Sequence, residues 1–378
     1  MNRIKCPTGF AATLAACLLL GAGWFVGAAE GFPEAHWKLR TPAEAGLSSN
    51  HLTRLAEIVG GRGCVARHGR MVFEWGDQTK SSDVASAFKP LLSMLMLMAV
   101  EEKRIASVDE RVARFEPRLN SLNDGKDARI TWRHLASQTS GYGLTEAPGA
   151  AYSYNDFALT FYFDTLMEKV FATNGAQVLH TRLAEPLQFE DSYTFNAFGP
   201  RNRPGRLALS CRDFARFGLM VLREGRWGEK QLLRPELVRM AVNSPISPAT
   251  PLTSAVEAAM LPGQRSMGGG RNITPVGPGY YSFNWWLNRT NAAGQHLFVD
   301  APEDAFAASG HGGKRVLFLV PSRDLIVCWN DSRIEDHDRS PGNPDTRMNQ
   351  AARLIRDGVL DATPRAASPP LRRDSPGR

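Results

Sequence analysis

The chain has 378 residues, 43% of them hydrophobic and 22% charged, which describes a globular protein with a large core and excludes a disordered polyelectrolyte. Two of its seven net positive charges belong to Arg3 and Lys5, and three to Arg365, Arg372, Arg373 and Arg378 less Asp374, which leaves +2 for the body between. No basic stripe interleaved with aromatics appears, so nucleic-acid binding is not favoured, and five cysteines and eight histidines without Cys-x-x-Cys or His-x-x-x-His spacing give no support to a metal site or another cofactor.

Residues 1–29 have the layout of a secretory leader: Arg3 and Lys5, an apolar run from about 10 to 26, and Val26-Gly27-Ala28-Ala29 for cleavage. The run is short for a membrane span. Leu14-Ala15-Ala16-Cys17 has the form of a lipoprotein cleavage box, although the apolar run continues past Cys17. A cleaved leader and a secreted or periplasmic protein are the expectation, while a retained anchor and a lipidated cysteine stay open. The folded domain then spans 30–361, makes no membrane contact of its own, and ends in a disordered basic tail, 362–378.

After an irregular stretch from Glu30 to Leu47, Ser48-Ser49-Asn50 caps a helix running to about Val59. Residues 63–76 have the form of a hairpin turning at His68-Gly69-Arg70. Ser86-Ala87-Phe88-Lys89 then opens a helix whose continuation, 90–100, is apolar all round and belongs in the middle of the molecule. Pro90 suits a first helical turn, and Met94, Met96 and Met98 are core filling. Another short helix starts at Ser107-Val108-Asp109-Glu110, and 130–135 leads into a loop at 137–143. The stretch from about 100 to 240 reads as mostly helical, with Ser210-Cys211-Arg212-Asp213 as a capping box. Residues 244–280, rich in Pro and Gly, read as long loops, and strands return at 281–287, 296–299, 315–320 and 325–329. A closing helix occupies about 347–359. Strands at both ends with helices between imply an α/β (α+β) fold: one antiparallel sheet built from N- and C-terminal strands, flanked by helices, with a mostly helical subdomain inserted.

Of the mature chain's cysteines, Cys64, Cys211 and Cys328, the first and last fall on strands that can be neighbours, and burial as free thiols is the expectation. Asn272-Ile273-Thr274, Asn288-Arg289-Thr290 and Asn330-Asp331-Ser332 fit the glycosylation sequon.

A buried helix that begins with a hydroxyl and an amine is an unusual way to build a core. Ser86 and Lys89, three residues apart at a helix start, share a face. Burial lowers a lysine pKa toward neutrality, where the amine can take the serine proton. The positive end of the helix dipole favours the oxyanion formed later. Two further clusters stand far along the chain: Pro148-Gly149-Ala150-Ala151-Tyr152-Ser153-Tyr154-Asn155-Asp156, and Ser309-Gly310-His311-Gly312-Gly313-Lys314. A tyrosine beside the pair can carry a proton to a leaving group, and paired glycines let backbone approach a substrate closely.

Ser86-x-x-Lys89, Tyr154-x-Asp156 and His311-Gly312-Gly313, in this order, resemble the three motifs of the serine β-lactamase and penicillin-binding protein superfamily. The likeness is to its class C branch, which includes esterases, D-amino-acid peptidases and 6-aminohexanoate-dimer hydrolases. The stretches His134-Leu135-Ala136-Ser137-Gln138-Thr139-Ser140-Gly141 and Asp324-Leu325-Ile326-Val327 share it, over about 40 to 358. The resemblance implies a β-lactamase/transpeptidase-like fold and a serine hydrolase that cleaves a small ester, amide or peptide through an acyl-enzyme. It makes Ser86 the nucleophile, Lys89 its base, Tyr154 the proton shuttle and His311 the residue in the Lys position of the third motif. The backbone N–H groups of Ser86 and Lys314 would form the oxyanion hole. Asp156, Gly312 and Gly313 would line the substrate site. Trp285-Trp286 reads as a strand pair with one ring in the core and the other lining the cleft, and Trp285 stands either as core packing or as a wall of that site.

Two departures count. Asp156 stands where the family has Asn, and an acceptor-only carboxylate there holds the lysine charged and makes it a poorer base unless it points elsewhere. The tyrosine register also stays open, because Tyr152 is a second choice and Ser153-x-Asn155 mimics the class A form. A true β-lactamase or D-Ala-D-Ala carboxypeptidase, and a catalytically silent binding module on the same fold, remain beside the esterase or amidase reading.

Overall fold

The computed structural model describes residues 31–197, 204–264, 276–335 and 341–360. The expected leader, the basic tail and the Asn272 sequon lie outside the described residues. In chain order the main elements are α1 (Ser49–Val59), β1 (Arg62–Arg67), β2 (Arg70–Trp75), β3 (Ser82–Asp83), α2 (Lys89–Glu101), α3 (Trp132–Ala136), α4 (Asp156–Asp164) and α5 (Gly175–Leu179). Then come β4 (Thr194–Ala197), β5 (Pro204–Leu209), α6 (Cys211–Leu222), β6 (Arg226–Trp227), β7 (Lys230–Gln231) and α7 (Pro235–Asn243). The chain returns to the sheet with β8 (Tyr281–Ser282), β9 (Trp285–Leu287), β10 (Phe306–Gly310), β11 (Arg315–Val320) and β12 (Leu325–Asn330), and closes with α8 (Arg347–Asp357).

Seven strands form one antiparallel sheet in the order β2-β1-β12-β11-β10-β9-β8, so the N-terminal hairpin adds to the C-terminal strands as expected. Alternate residues of β11 and β12 enter two separate cores. Val316, Phe318, Val320, Val327 and Trp329 pack against α1 and α8, and Leu317, Leu319, Ile326 and Cys328 against α2 and α6. Helix α2 is buried along its whole length, from Lys89 to Val100. Among the described residues, no helix is long and apolar enough to cross a membrane.

Several boundaries differ from the sequence reading. The stretch 281–287 is two strands, because Phe283 and Asn284 both adopt positive φ (45° and 67°) and turn the chain back in a tight hairpin. Residues 296–299 form no strand beyond an isolated bridge from His296 to Thr290, whereas Phe306–Gly310, too rich in alanine to read as a strand, is one. The region 100–240 is interrupted by β4 and β5, which form a three-stranded sheet with β5 between β3 and β4, and Ser107 opens turns and a 3₁₀ segment (Val112–Arg114) in place of a helix. Ser210 does cap α6, accepting from Asp213 N–H, but Asp213 does not return the bond: its carboxylate accepts from the N–H groups of Glu190 (2.7 Å) and Asp191 (2.9 Å). Cys64 lies opposite Cys328 across β1 and β12, and all three cysteines are free and buried. Asn288 and Asn330 are buried too, which removes both as accessible sequons.

Candidate active site

The Ser86 segment is a 3₁₀ turn, Ala85–Phe88, that feeds directly into α2. Ala85 N–H is held by Asp83 Oδ1 (2.8 Å), and Ala85 carries a positive φ of 48°, a conformation uncommon for a residue with a Cβ. Ser86 is half-buried while its neighbours Ala87, Phe88 and Lys89 are fully covered, so its hydroxyl is the polar group of the turn with access from outside.

Behind it, Lys89 Nζ donates to Ser86 Oγ at 3.2 Å and to Asp156 Oδ1 at 2.7 Å, and stands 3.7 Å from the centre of the Tyr154 ring. Burial pulls the Lys89 pKa down, but the Asp156 carboxylate and Tyr154 outweigh it, and the net lies above the ordinary lysine value. Of the two expectations, a neutral amine from burial and a lysine held charged by Asp156, the direction agrees with the second, since Asp156 does point at the amine. Burial has its predicted effect, and a carboxylate buried with the amine reverses it.

The second motif is positioned by the 137–142 loop. Asn155 caps α4 by accepting from Phe157 N–H (2.9 Å) and Ala158 N–H (3.0 Å), and its own amide donates to Tyr142 O (2.8 Å). Gln138, at positive φ, accepts Asn155 N–H on its side chain (2.6 Å) and Ser153 N–H on its carbonyl (2.9 Å). Asn155 is thus a structural cap, and the Ser153-x-Asn155 likeness has no part next to Lys89. Of the two tyrosines, Tyr154 is the one beside the amine. Tyr152 is fully buried against Tyr281 and under Gly277, where a Cβ would come within 2.1 Å of its ring.

The tryptophan at the site is Trp286, whose ring stacks on Tyr154 (6.1 Å, 19°) with Tyr281 edge-on to both. Trp285 faces the opposite core, stacked on Phe217 (6.0 Å, 2°) and edge-on to Phe306, so it walls no substrate site. The β8–β9 turn also reaches α2: Asn284 Nδ2 donates to Lys89 O (3.2 Å) and Ser93 Oγ (2.7 Å), and Asn284 N–H to Ala136 O (2.8 Å). Of the Trp285-Trp286 pair one ring is in the core and the other at the site, as expected, but it is Trp286 at the site. Gln138 lies in a stretch that carried the resemblance without being named for the site, and Asn284 was missed, an Asn inside a two-residue turn being its one local signal.

The third motif lies differently from expectation. Gly310, the last residue of β10, is the glycine against the nucleophile. A Cβ on it would stand 2.6 Å from Val84 O, 3.0 Å from Ala87 N and 3.1 Å from Ser86 N. His311, Gly312 and Gly313 form the turn into β11, all with positive φ, and a Cβ on Gly313 would meet Ile334. These two glycines shape the hairpin and do not line a substrate site. His311 is exposed, and its Nδ1 accepts from Arg315, whose Nε donates to Asp83 O (2.7 Å). Lys314 N–H is already engaged by His311 O at 3.1 Å, which removes it as an oxyanion donor.

Strand geometry supplies a replacement. Asn288 N–H donates to Ala305 O, and Ala307 pairs with Trp286, so the odd residues of β10 turn their backbone polar groups toward β9. That pairing stops at Ala307. The next odd residue, half-buried Ser309, turns its N–H to the side of the strand that β9 leaves uncovered.

A separate cavity of about 350 Å³ is lined by Arg223, Glu224, Arg239, Asp304, Phe306 and Asp324 among others, and by none of the Ser86 cluster. Among the described residues, no group of three or more His, Cys, Asp or Glu side chains is arranged to hold a metal ion.

A Beta-lactamase family model matches residues 49–330, well over half of the chain. The fold is shared with a penicillin-binding protein homologue from Caulobacter crescentus (TM-score 0.59, 13% identity, covering 83% of this chain and 99% of that one). It is shared likewise with a class C β-lactamase from Rhodobacter sphaeroides (TM-score 0.51, 14% identity, 83% and 100%). A third is EstCE1, a hydrolase with promiscuous acyltransferase activity (TM-score 0.54, 15% identity, 81% and 96%). No curated protein sequence gives a significant match. At such identities the structural likeness establishes the architecture, and the family match establishes descent: the chain belongs to the Beta-lactamase family, the β-lactamase-fold hydrolases of the serine β-lactamase and penicillin-binding protein superfamily.

Proposed function

We propose that the protein is a secreted or periplasmic serine hydrolase that cleaves a small ester or amide through an acyl-enzyme on Ser86. The observation that carries the reading is the accessible Ser86 hydroxyl 3.2 Å from the buried Lys89 amine, with the end of β10 laid against its backbone. Ser86 Oγ attacks the carbonyl carbon, and its proton passes to Lys89 Nζ once that amine is neutral. The N–H groups of Ser86 and Ser309 receive the oxyanion. Tyr154, against Lys89, relays the proton to the leaving group as the tetrahedral intermediate collapses, and water reverses the sequence to release the acid. His311, exposed and turned to Arg315, takes no part in the proton path.

A fluorophosphonate tests this directly. The wild type should be modified on Ser86, Ser86→Ala should not be modified, and one member of a panel of p-nitrophenyl esters, an aminohexanoate amide, a D-Ala-D-Ala peptide and nitrocefin should be turned over by the wild type alone. The lysine–aspartate pair favours one second reading, a silent binding module, because an ammonium is no base. A folded wild type unreactive at every pH up to 10 would establish it and overturn the hydrolase.

A further inference from the structure

Lys89 makes three contacts with its three N–H directions: Ser86 Oγ, Asp156 Oδ1 and the face of Tyr154. Lys89 is 2% exposed in its side chain and Asp156 8%, so water screens this ion pair little. An ammonium donating to Ser86 Oγ occupies the lone pair of the atom it is supposed to deprotonate. Asp156 reaches it from the first residue of α4, directly after the Asn155 cap. The titratable groups acting on Lys89 are Asp156 and Tyr154. Tyr281, packed edge-on to Tyr154 from the β8–β9 turn, is held neutral by burial, and its hydroxyl donates to Asn284 Oδ1 at 3.0 Å. Among the described residues, Asp156 is therefore the countercharge that acts on the amine.

We propose that Asp156 is a positioning residue that stores Lys89 as the ammonium and so sets the pH at which Ser86 becomes a nucleophile. The inference rests on Ser86 being the acylated residue. Lys89-NH₃⁺ first releases a proton to solvent. The resulting amine takes the Ser86 hydroxyl proton as Oγ bonds to the electrophile, and the electron pair displaced from the carbonyl goes to its oxygen. With a fluorophosphonate, Oγ bonds to phosphorus, the P–F bond breaks, fluoride leaves, and Lys89 ends as the ammonium again. An isosteric amide at 156 keeps the shape and removes the charge, so a buried lysine left alone is neutral at lower pH.

The test is the fluorophosphonate labelling rate of full-length wild type and Asp156→Asn between pH 6 and 9, with Ser86→Ala as the blank. The wild-type rate should rise about tenfold per pH unit without a plateau, because each unit multiplies the small neutral fraction tenfold. Asp156→Asn should flatten within the range and exceed the wild type at pH 7 by about tenfold or more. A wild-type plateau below pH 9, or a variant profile superimposable on the wild type, overturns the proposal. Loss of all Ser86 labelling in the wild type overturns instead the reading it rests on. If Asp156→Asn does not fold, the Lys89 Cε resonance of ¹³C-lysine-labelled wild type decides: it must keep its ammonium position through pH 9, and titration below that overturns the proposal.

Discussion

Gly310→Ala is a sharp probe of how the sheet holds the nucleophile. Gly310 has φ −130°, which any residue adopts, so the substitution meets no backbone strain and its effect comes from contact alone. The added methyl would lie 2.6 Å from Val84 O, and 3.0 and 3.1 Å from the backbone nitrogens of Ala87 and Ser86. None of these atoms is the free end of a side chain. β10 is fixed by its ladder to β11, and the Ser86 turn by Val84 N–H to Leu207 O (2.9 Å) and Ala85 N–H to Asp83. Separating them to an ordinary contact needs roughly 1 Å of movement, and overpacking of this kind costs about 1–3 kcal/mol. A displacement of that size between a nucleophile and its partners costs about 10²-fold in rate. Gly228→Ala serves as the control, since its Cβ would meet nothing within 4 Å although φ is 55°. Urea unfolding and fluorophosphonate labelling, run side by side, should show Gly310→Ala destabilised and about 10²-fold slower. Gly228→Ala should lose a little stability and no rate. Wild-type labelling and stability in Gly310→Ala would refute the close packing of β10 on the nucleophile turn.

Three further outcomes follow from the same geometry. Trp286→Leu, which removes the ring stacked on Tyr154, should lower kcat on the ester panel with modest destabilisation. Trp285→Ala should instead cost about 3–5 kcal/mol in urea unfolding, as a core aromatic does. Asp324 binds the buried Arg223 guanidinium (2.5 and 2.9 Å) and His68 (3.1 Å); burial raises its pKa, these partners outweigh that, and it falls to about 2. The folded state thus holds this carboxylate ionised where the unfolded chain would protonate it. Its contribution of about 2 kcal/mol is complete above pH 4 and disappears as pH falls toward 2, and Asp324→Asn should erase that part of the acid dependence of unfolding. Asn284→Ala should both strain the positive-φ turn, which Asn tolerates better than Ala, and remove the donor to Lys89 O, lowering thermal stability and slowing labelling together.

How far the sequence could be read depended on the range of the interactions. The buried helix was legible because an all-apolar run has no other home, and the hairpin at 62–75 because His68-Gly69 fits a two-residue turn. The pairing of N- and C-terminal strands was legible because only the chain ends carried strand patterns. β10 escaped because Phe306-Ala307-Ala308-Ser309-Gly310 has little β-propensity of its own and is a strand only between β9 and β11. That miss shifted the third cluster. With the strand placed from 306, Gly310 falls on the nucleophile and Ser309 on the open edge; without it, the eye goes to His311-Gly312-Gly313-Lys314, which is the turn. For Lys89 the sequence supplied both opposing influences, burial and Asp156, but not which one prevails. Burial and Asp156 push its pKa in opposite directions, and which one wins depends on a 2.7 Å contact between residues 67 positions apart. A motif names the groups brought together; their distances decide the protonation state from which they start. Here a buried carboxylate lies 2.7 Å from that amine, so on the mechanism proposed above the chemistry begins with the removal of a proton from Lys89.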